Sequence, residues 1–505
     1  MENQRGSWGS NIGFLLAAVG SAVGLGNIWG FPYKMGKSGG FTFLLVYLFL
    51  AIFVGLIIMC AELALGRKTR KAPIAAYQAV SEKFKWLGWL AVLSPFLIMT
   101  FYSVLGGYCI YYIIINLIGI FGGMPDSSSF GAMLTSIPAS IGILVAFMVI
   151  CYFIVAGGID SGIEKFNKIG MPALFVMLVI IIIRSLTLPN AGEGLKFMFI
   201  PGYAVKGGFI ESAPGLVSVL ATAGGQMFFS LSLAMGAMIT YGSYLGKEEN
   251  LVKNSGIIVF ADTLVALLAG IAVIPAAVAN GINNGIPVNQ IKLGGPNLLF
   301  ATLQDVFHNM GALGGVFGVI FYILVLLAAI SSAISLMEVL SAHFIDKAAE
   351  QGKKLERKKV VLWVSIAILI PAILVAADGL GSNGITPAEI FHIENVRGWN
   401  DCWLDFFDCW SEGIMMPLGA MLMALMIGWE VGPQLTLDEV AHGDPSEGFK
   451  KFFIFCIKFV VPIVMAFVLS GMLTDFFGNQ IVSYIVSLVI LVVFWVLAAM
   501  GKKKA

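Results

Sequence analysis

Apolar stretches of about 20 residues, the length a helix needs to cross the hydrocarbon core of a bilayer, recur along the whole of this chain with short polar interruptions. Nothing else in the sequence limits its folding so strongly. Lipid offers no partner to a backbone N–H or C=O, so only helices or a closed barrel keep every such group bonded. Continuous runs of this length predict about twelve helices, centred near Val23, Val54, Gly106, Phe147, Met177, Leu231, Ala266, Leu327, Ala367, Met416, Val464 and Leu488. Composition agrees: 59% of the 505 residues are hydrophobic and 12% charged, where a soluble chain carries roughly a quarter charged. No separate soluble domain is visible. The segment before the first span is short and polar and lacks a small-residue cleavage site, so it is expected to be retained.

Net charge is only +1, yet the basic residues are sorted. Arg67, Lys68, Arg70, Lys71, Lys83 and Lys85 follow the second span, and Lys353, Lys354, Arg357, Lys358 and Lys359 follow the eighth. With Arg5, Lys450, Lys451 and Lys502 to Lys504 they put both termini in the cytoplasm by the positive-inside rule. The odd-numbered loops are poor in Lys and Arg. Cys60, Cys109, Cys151 and Cys456 lie in apolar runs as ordinary small hydrophobes. Cys402 and Cys409 flank WLDFFD on the outer side, where an external disulfide is open to them.

Enzyme chemistry needs converging acids, bases or nucleophiles. The four histidines are scattered, and neither a metal-ligand cluster nor a nucleotide-binding glycine pattern is present. Polar residues inside the spans are costly and mark function. Span one carries Ser21 and Asn27 among Gly20, Gly24, Gly26 and Gly30 in GSAVGLGNIWGFP; span six has Gln226, Ser230 and Ser232; span seven has Asp262; span eight has Ser331 and Ser332. Spans one and six, five apart, have interrupted centres, the pattern of paired broken helices in an inverted repeat.

GSAVGLGNIWGFPY, the Glu62 and Gly66-Arg67 end of span two, GGQMFFSLSLAMGAMITYGSY and AAISSAISLM, in this order, resemble motifs of the neurotransmitter:sodium symporter family, especially its bacterial LeuT-type amino-acid transporters. The resemblance covers roughly residues 5 to 430. It implies an all-α membrane fold of about 12 transmembrane helices, a 5+5 inverted repeat with helices 1 and 6 broken. Residues 1–10 are then a cytoplasmic latch, 11–185 the first repeat, 186–211 an outer loop, 212–430 the second repeat, and 431–505 the last two spans with a basic C-terminus. It also implies a bacterial inner membrane location, a monomer or weak homodimer, no nucleic-acid partner, and symport of sodium with a neutral amino acid.

Two sodium ions are implied, and sodium prefers oxygen ligands. The first would meet the Ala22 carbonyl, Asn27, Ser230, a group of span seven and the substrate's own carboxylate; the second would meet carbonyls of Gly20, Val23 and Ala328 with the Ser331 and Ser332 hydroxyls. Positions 328, 331 and 332 share one helix face. Asp262 falls where the family has either a sodium-binding asparagine or a chloride-binding serine, and alignment leaves the two open. Tyr47, Gln226 and Ser230 resemble the other chloride-shell residues, so the Asp262 carboxylate is expected to replace chloride and make transport chloride-independent. A structural, protonated aspartate is the competing reading.

The substrate carboxylate would meet the amides of Leu25 and Gly26 and the Tyr102 hydroxyl, and its ammonium the carbonyls near Ala22 and Phe229 and the Ser232 hydroxyl. Monoamine-transporting relatives carry an aspartate where this chain has Gly24, which points to an amino acid. Ser21, Ile98, Phe229, Ala234, Met235, Ser332 and Leu336 would face its side chain. Ala234 stands where the family commonly has glycine, and its extra methyl leads us to expect an aliphatic substrate rather than an aromatic one; a non-transporting sensor is a further alternative. Inside, Arg5, Trp8, Ser243, Tyr244 and Asp346 resemble the family latch. Outside, Asp408 matches the acidic gate, but Gly30 stands in place of its arginine, so the outer salt bridge is expected to be missing. Glu62 resembles the acid that holds the broken part of span one, or reaches to the lipid interface.

Overall fold

A computed structural model describes residues 7–291, 293–393 and 399–500. Among these, ten helices are long and apolar enough to cross a membrane. We label α1 (Asn11–Ala22), α2 (Gly26–Lys37), α3 (Phe41–Thr69), α4 (Leu87–Gly122), α5 (Ile137–Ala156), α6 (Ile159–Leu186), α7 (Leu216–Ser230), α8 (Ala237–Gly242), α9 (Leu251–Asn283), α10 (Ala312–Glu350), α11 (Arg357–Asp378), α12 (Trp403–Val431), α13 (Glu447–Thr474) and α14 (Gln480–Ala499). Taken together, α1 and α2 form an eleventh apolar span, bent by 44°. The fold is thus an all-α, multi-pass membrane architecture.

Local chemistry explains the two interruptions. Ser10 caps α1 by accepting a bond from Gly13 N at 3.0 Å. At Val23 the backbone turns extended, with φ −77° and ψ 93°. The Asn27 Oδ1 then accepts from Gly24 N at 2.9 Å, so a side chain satisfies a donor that the broken helix has released. Between α7 and α8 the chain unwinds, and Ser232, Ala234 and Gly236 take φ of 53°, 59° and 74°. Only the last of these is a glycine, and left-handed backbone is strained for the other two.

The broken helices lie inside a shell of longer ones. α1 packs on α6, α9 and α10; α7 on α3 and α13; α8 on α3; and α10, the longest element, runs against α4. Gly66 of α3 and Gly242 of α8 let two backbones meet, because a Cβ on either would strike the main chain of the other helix. α14 is peripheral and mostly faces lipid.

The disulfide that the sequence leaves open to Cys402 and Cys409 is not formed. Cys402 caps the helix on which Cys409 lies. Seven residues of helix separate their Cα atoms by about 10 Å, beyond disulfide reach.

One buried charge ties the ends of three elements together. Arg67, at the end of α3, has a side chain with no exposed surface. Its Nε donates to Glu439 Oε2 at 2.9 Å and its Nη1 to Glu249 O at 2.7 Å, while Nη2 reaches the Glu439 carbonyl. Breaking a buried pair from one side leaves the other charge uncompensated, at a cost of about 3–5 kcal/mol. Arg67→Ala should therefore lower the thermal midpoint of the purified protein strongly, and Arg67→Ala combined with Glu439→Gln should lower it less.

Candidate functional site

The unwound ends of α1, α2 and α7 meet α4 and α10 around one cavity. It is narrow and is lined by Ser21, Ala22, Gly24, Gly26, Ile98, Tyr102, Phe229, Ser232, Met235, Ser332 and Leu336. Its polar atoms are already organised. The Tyr102 hydroxyl accepts from Leu25 N at 3.0 Å. The hydroxyls of Ser232 and Ser332 both donate to Ser21 O, at 2.8 and 2.9 Å, and Ser21 Oγ lies 2.7 Å from Ser335 Oγ. The rings of Tyr102 and Phe229 stand 6.2 Å apart over the cavity. Gly24 is glycine for a steric reason: a Cβ there would run into Ser332 Oγ and lie 2.7 Å from the Tyr102 hydroxyl.

Behind the cavity sits a second polar cluster, centred on the fully buried Asp262 of α9. Asn27 Nδ2 donates to Asp262 Oδ1 at 2.7 Å and to its carbonyl at 3.1 Å. Ser230 Oγ lies 2.9 and 3.0 Å from the two carboxylate oxygens, and the Tyr47 hydroxyl 3.3 Å from Oδ2. Gln226 Nε2 donates to Gly26 O at 2.7 Å, but its Oε1 is buried without a partner. No Lys or Arg pairs with Asp262 among the described residues. A carboxylate so enclosed requires a cation or a proton.

A third cluster joins α1 to α10. Ser331 Oγ lies 3.3 Å from Val23 O and 2.9 Å from Ala328 O. Gly20 packs against the Asn167 amide of α6, whose Oδ1 is buried and unpartnered. Asn167 escaped the sequence reading; the one signal for it was a lone asparagine at the polar start of its span. Among the described residues no three His, Cys, Asp or Glu side chains converge as they would on a transition metal. The oxygen atoms here are carbonyls, hydroxyls and one carboxylate, a donor set suited to a hard cation.

The model of the sodium:neurotransmitter symporter family matches residues 5–120 and 132–502. The chain belongs to that family. Among relatives of this symporter, the Bacillus subtilis protein YhdH, described as an uncharacterized sodium-dependent transporter, is 32% identical over 92% of this chain and 97% of its own length. The human sodium- and chloride-dependent GABA transporter 2 is 22% identical, over 91% of this chain and 79% of its own. A crystal structure of MhsT in complex with L-phenylalanine is 34% identical, with a TM-score of 0.79, and covers 93% of this chain and all of its own. Membership makes the chain a multi-pass membrane transporter coupled to sodium.

The MhsT complex overturns the expectation of an aliphatic substrate, because a similar chain holds an aromatic amino acid. The geometry supplies the reason. Ala234 does not line the symporter's cavity among the described residues; its methyl points instead toward Gly419 of α12, 3.7 Å from where a Cβ on that residue would lie. The extra methyl therefore takes no room from a substrate.

At one end of the symporter, Trp8 Nε1 donates to Tyr241 O at 3.1 Å, and its indole stands edge-on to Tyr241 and Tyr244. The Tyr244 hydroxyl donates to Glu338 Oε1 at 2.8 Å, and Arg357 pairs with the same buried carboxylate. Glu338 and Arg357 lie 19 positions apart on successive helices, and sequence motifs alone do not bring them together. Ser243 Oγ bonds back to Thr240 O at 2.6 Å, and Asp346 Oδ2 accepts from Ala72 N at 2.8 Å. Arg5 lies outside the described residues.

At the other end Gly30 leaves Asp408 without the family's arginine, and a different ion pair lies one turn away. Lys34, one turn beyond Gly30, pairs with Glu412, one turn beyond Asp408, with side chains only 15% and 6% exposed. Gly225 leaves the space: a Cβ there would lie 2.8 Å from Glu412 Oε1. A search confined to the family's own two gate positions could not find a pair displaced by a turn.

Glu62 is fully buried and accepts from Ala234 N at 2.6 Å, which excludes the reading that it reaches to the lipid interface. It thereby clamps a residue held at φ 59°. Left-handed strain costs about 1–3 kcal/mol, while glycine surrenders about 0.5–1 kcal/mol in chain entropy. Ala234→Gly should stabilise the folded protein by about 1 kcal/mol, read as a raised thermal midpoint, with substrate affinity little changed because the methyl is outside the cavity.

Proposed function

We propose that this chain is a sodium-coupled symporter that imports amino acids with aromatic side chains by alternating access. The observation that carries the proposal is the continuity between the cavity and the Asp262 cluster. Asn27 bonds both Gly24, a cavity residue, and Asp262, so the backbone that meets a substrate carboxylate and the oxygens suited to sodium are one connected network. A substrate carboxylate at the Leu25 and Gly26 amides would complete the first ion's shell with Ala22, Asn27, Ser230 and Asp262. Each ligand then raises the other's affinity by the same factor. The second ion would use Gly20, Val23, Ala328, Ser331 and Ser332. An aromatic side chain would lie against Ile98, Phe229, Met235 and Leu336, while Tyr102 holds the carboxylate end.

Chloride independence belongs to the same reading. Asp262 touches both Asn27, on the sodium side, and Tyr47, in the shell that resembles the family's chloride site. One carboxylate thus provides the fixed negative charge. The further reading has twelve spans in two inverted halves, residues 11–185 and 212–430, with α7 and α8 as one broken span and both termini cytoplasmic. Residues 1–10 serve as the inner latch, through Trp8 on Tyr241 and Tyr244. Outer closure is assigned to Lys34 and Glu412, with Asp408 beside them.

Purified protein in liposomes should accumulate labelled phenylalanine, tryptophan or tyrosine when sodium is directed inward, and not when choline replaces sodium. Failure to accumulate any amino acid would reject transport; leucine and alanine well ahead of the aromatic ones would reject the substrate class. Exchanging chloride for gluconate should leave uptake unchanged, and Asp262→Asn should weaken sodium activation by about tenfold or more, equivalent to ~1.4 kcal/mol.

Lys34→Met would leave Glu412 and Asp408 without their cation, so the closed outer side loses stability. Bound labelled substrate should dissociate from the purified variant about tenfold faster, equivalent to ~1.4 kcal/mol. Lys34→Met with Glu412→Gln should recover part of the difference. Unchanged dissociation would remove these residues from the gate.

A further inference from the structure

Arg184 is one of the few basic residues outside the cytoplasmic loops. It lies in the last turn of α6, on the side assigned to the exterior, where Lys and Arg are few. An arginine at the end of a span ordinarily stretches into water. This one turns back instead: its Nη1 donates to Thr187 Oγ1 at 3.0 Å, and its guanidinium carbon stands 6.0 Å from the centre of the Phe317 ring on α10. No Asp or Glu pairs with it among the described residues. A half-buried cation is thereby held across the groove between two helices with no counter-charge from the protein.

Two adjoining cavities meet at this side chain, sharing Arg184, Leu188, Val306 and Met310 in their walls. The outer one, about 260 Å3, is rimmed by Asn280, Asn283, Asn284 and Asn309 and contains no acidic residue in its wall. The inner one is a narrow, open-sided cleft that continues between α6, α9, the short helix Leu303–His308 and α10, and is walled mainly by Ile181, Ala272, Ala276, Leu303, Phe307 and Phe321. A cationic, amide-rimmed mouth above an apolar slot is complementary to one kind of molecule. It has a single anionic head and an apolar tail.

The surroundings indicate its source. Ile183 beside Arg184, and Leu313 and Val316 beside Phe317, are large apolar side chains exposed on the outer surface of the helices. In a multi-pass membrane protein such a surface faces acyl chains, and the end of a span lies at headgroup depth. Basic pockets between spans bind anionic headgroups on the cytoplasmic side of membranes, and the same charge complementarity is offered here on the outer side.

We propose that Arg184 and the Asn280–Asn284 end of α9 form a binding site for an anionic amphiphile, with a phosphate or carboxylate at the guanidinium and an acyl chain in the slot between α6, α9 and α10. A phospholipid of the outer leaflet is the source that the flanking apolar surface favours. The site is separate from the central cavity, with which it shares no lining residue. Its existence does not depend on which amino acid is carried.

The test uses the full chain, purified and delipidated, then mixed with phosphatidylglycerol, phosphatidylcholine or oleate and analysed by native mass spectrometry and by thermal unfolding. Wild type should retain phosphatidylglycerol at least threefold better than Arg184→Gln and be stabilised by it to a higher midpoint, with Arg184→Lys intermediate. Phosphatidylcholine should not distinguish wild type from Arg184→Gln. If oleate rather than phosphatidylglycerol shows the Arg184 dependence, the site stands and its source is a free fatty acid. Equal retention of both anions by wild type and Arg184→Gln, or equal retention of phosphatidylcholine and phosphatidylglycerol by wild type, would overturn it. Because α6 is a structural element, unfolding midpoints without lipid serve as the control. A variant that unfolds before lipid is added gives way to Asn280→Leu, which alters the rim and leaves Arg184 in place; loss of anion retention there supports the site, and full retention counts against it.

Discussion

A polar backbone group released at membrane depth must be bonded by something other than its own helix, and the structure is arranged around that demand at residues 21–26. Leu25 N goes to Tyr102, Gly24 N to Asn27, Gly26 O to Gln226, Val23 O to Ser331, and Ser21 O to both Ser232 and Ser332. These partners come from α4, α7, α10 and the α7–α8 break as well as from α2. A single interrupted helix therefore dictates which other helices must stand beside it, and the cavity is the space they leave. Apolar packing alone does not choose partners this narrowly, since in lipid one apolar helix face is much like another.

Charge is distributed by the same economy. Three buried ion pairs are prominent: Arg67 with Glu439, Arg357 with Glu338, and Lys34 with Glu412. The first and last connect elements far apart in sequence, and the second joins successive helices. Nearer the centre stands Asp262, surrounded by hydroxyl and amide donors and by no basic side chain among the described residues. A fixed ion pair there would compete with any arriving cation. Hydrogen-bond donors instead hold the carboxylate in position and leave its charge uncancelled.

Much of the central site was legible in the sequence because the residues involved are anomalies in their setting. Glycines, an asparagine, serines and one aspartate inside otherwise apolar runs are expensive, so their presence marks purpose. The cavity wall contains eleven of the residues that the family resemblance implied for substrate, among them Ser21, Tyr102, Phe229 and Ser332. Ala234 was misread for a physical reason. Its position in the motif was clear, but the direction of its methyl depends on a φ of 59°, and local sequence does not encode that when the residue is not glycine. Lys34, Glu412, Glu338 and Asn167 were missed because each lies near a span end or one turn from a motif position, where a polar residue is ordinary.

Hydropathy by itself determined that this chain crosses a membrane many times as helices, because lipid permits little else. Basic residues in alternate loops carry an orientation, and four ordered motifs carry the family. The tertiary structure decided the rest. It set which carboxylate faces which ammonium across hundreds of residues, where the Ala234 methyl points, that Cys402 and Cys409 stay apart, and that Arg184 bridges two helices. Those outcomes depend on distances between side chains brought together by packing, and spacing along a chain contains no record of them.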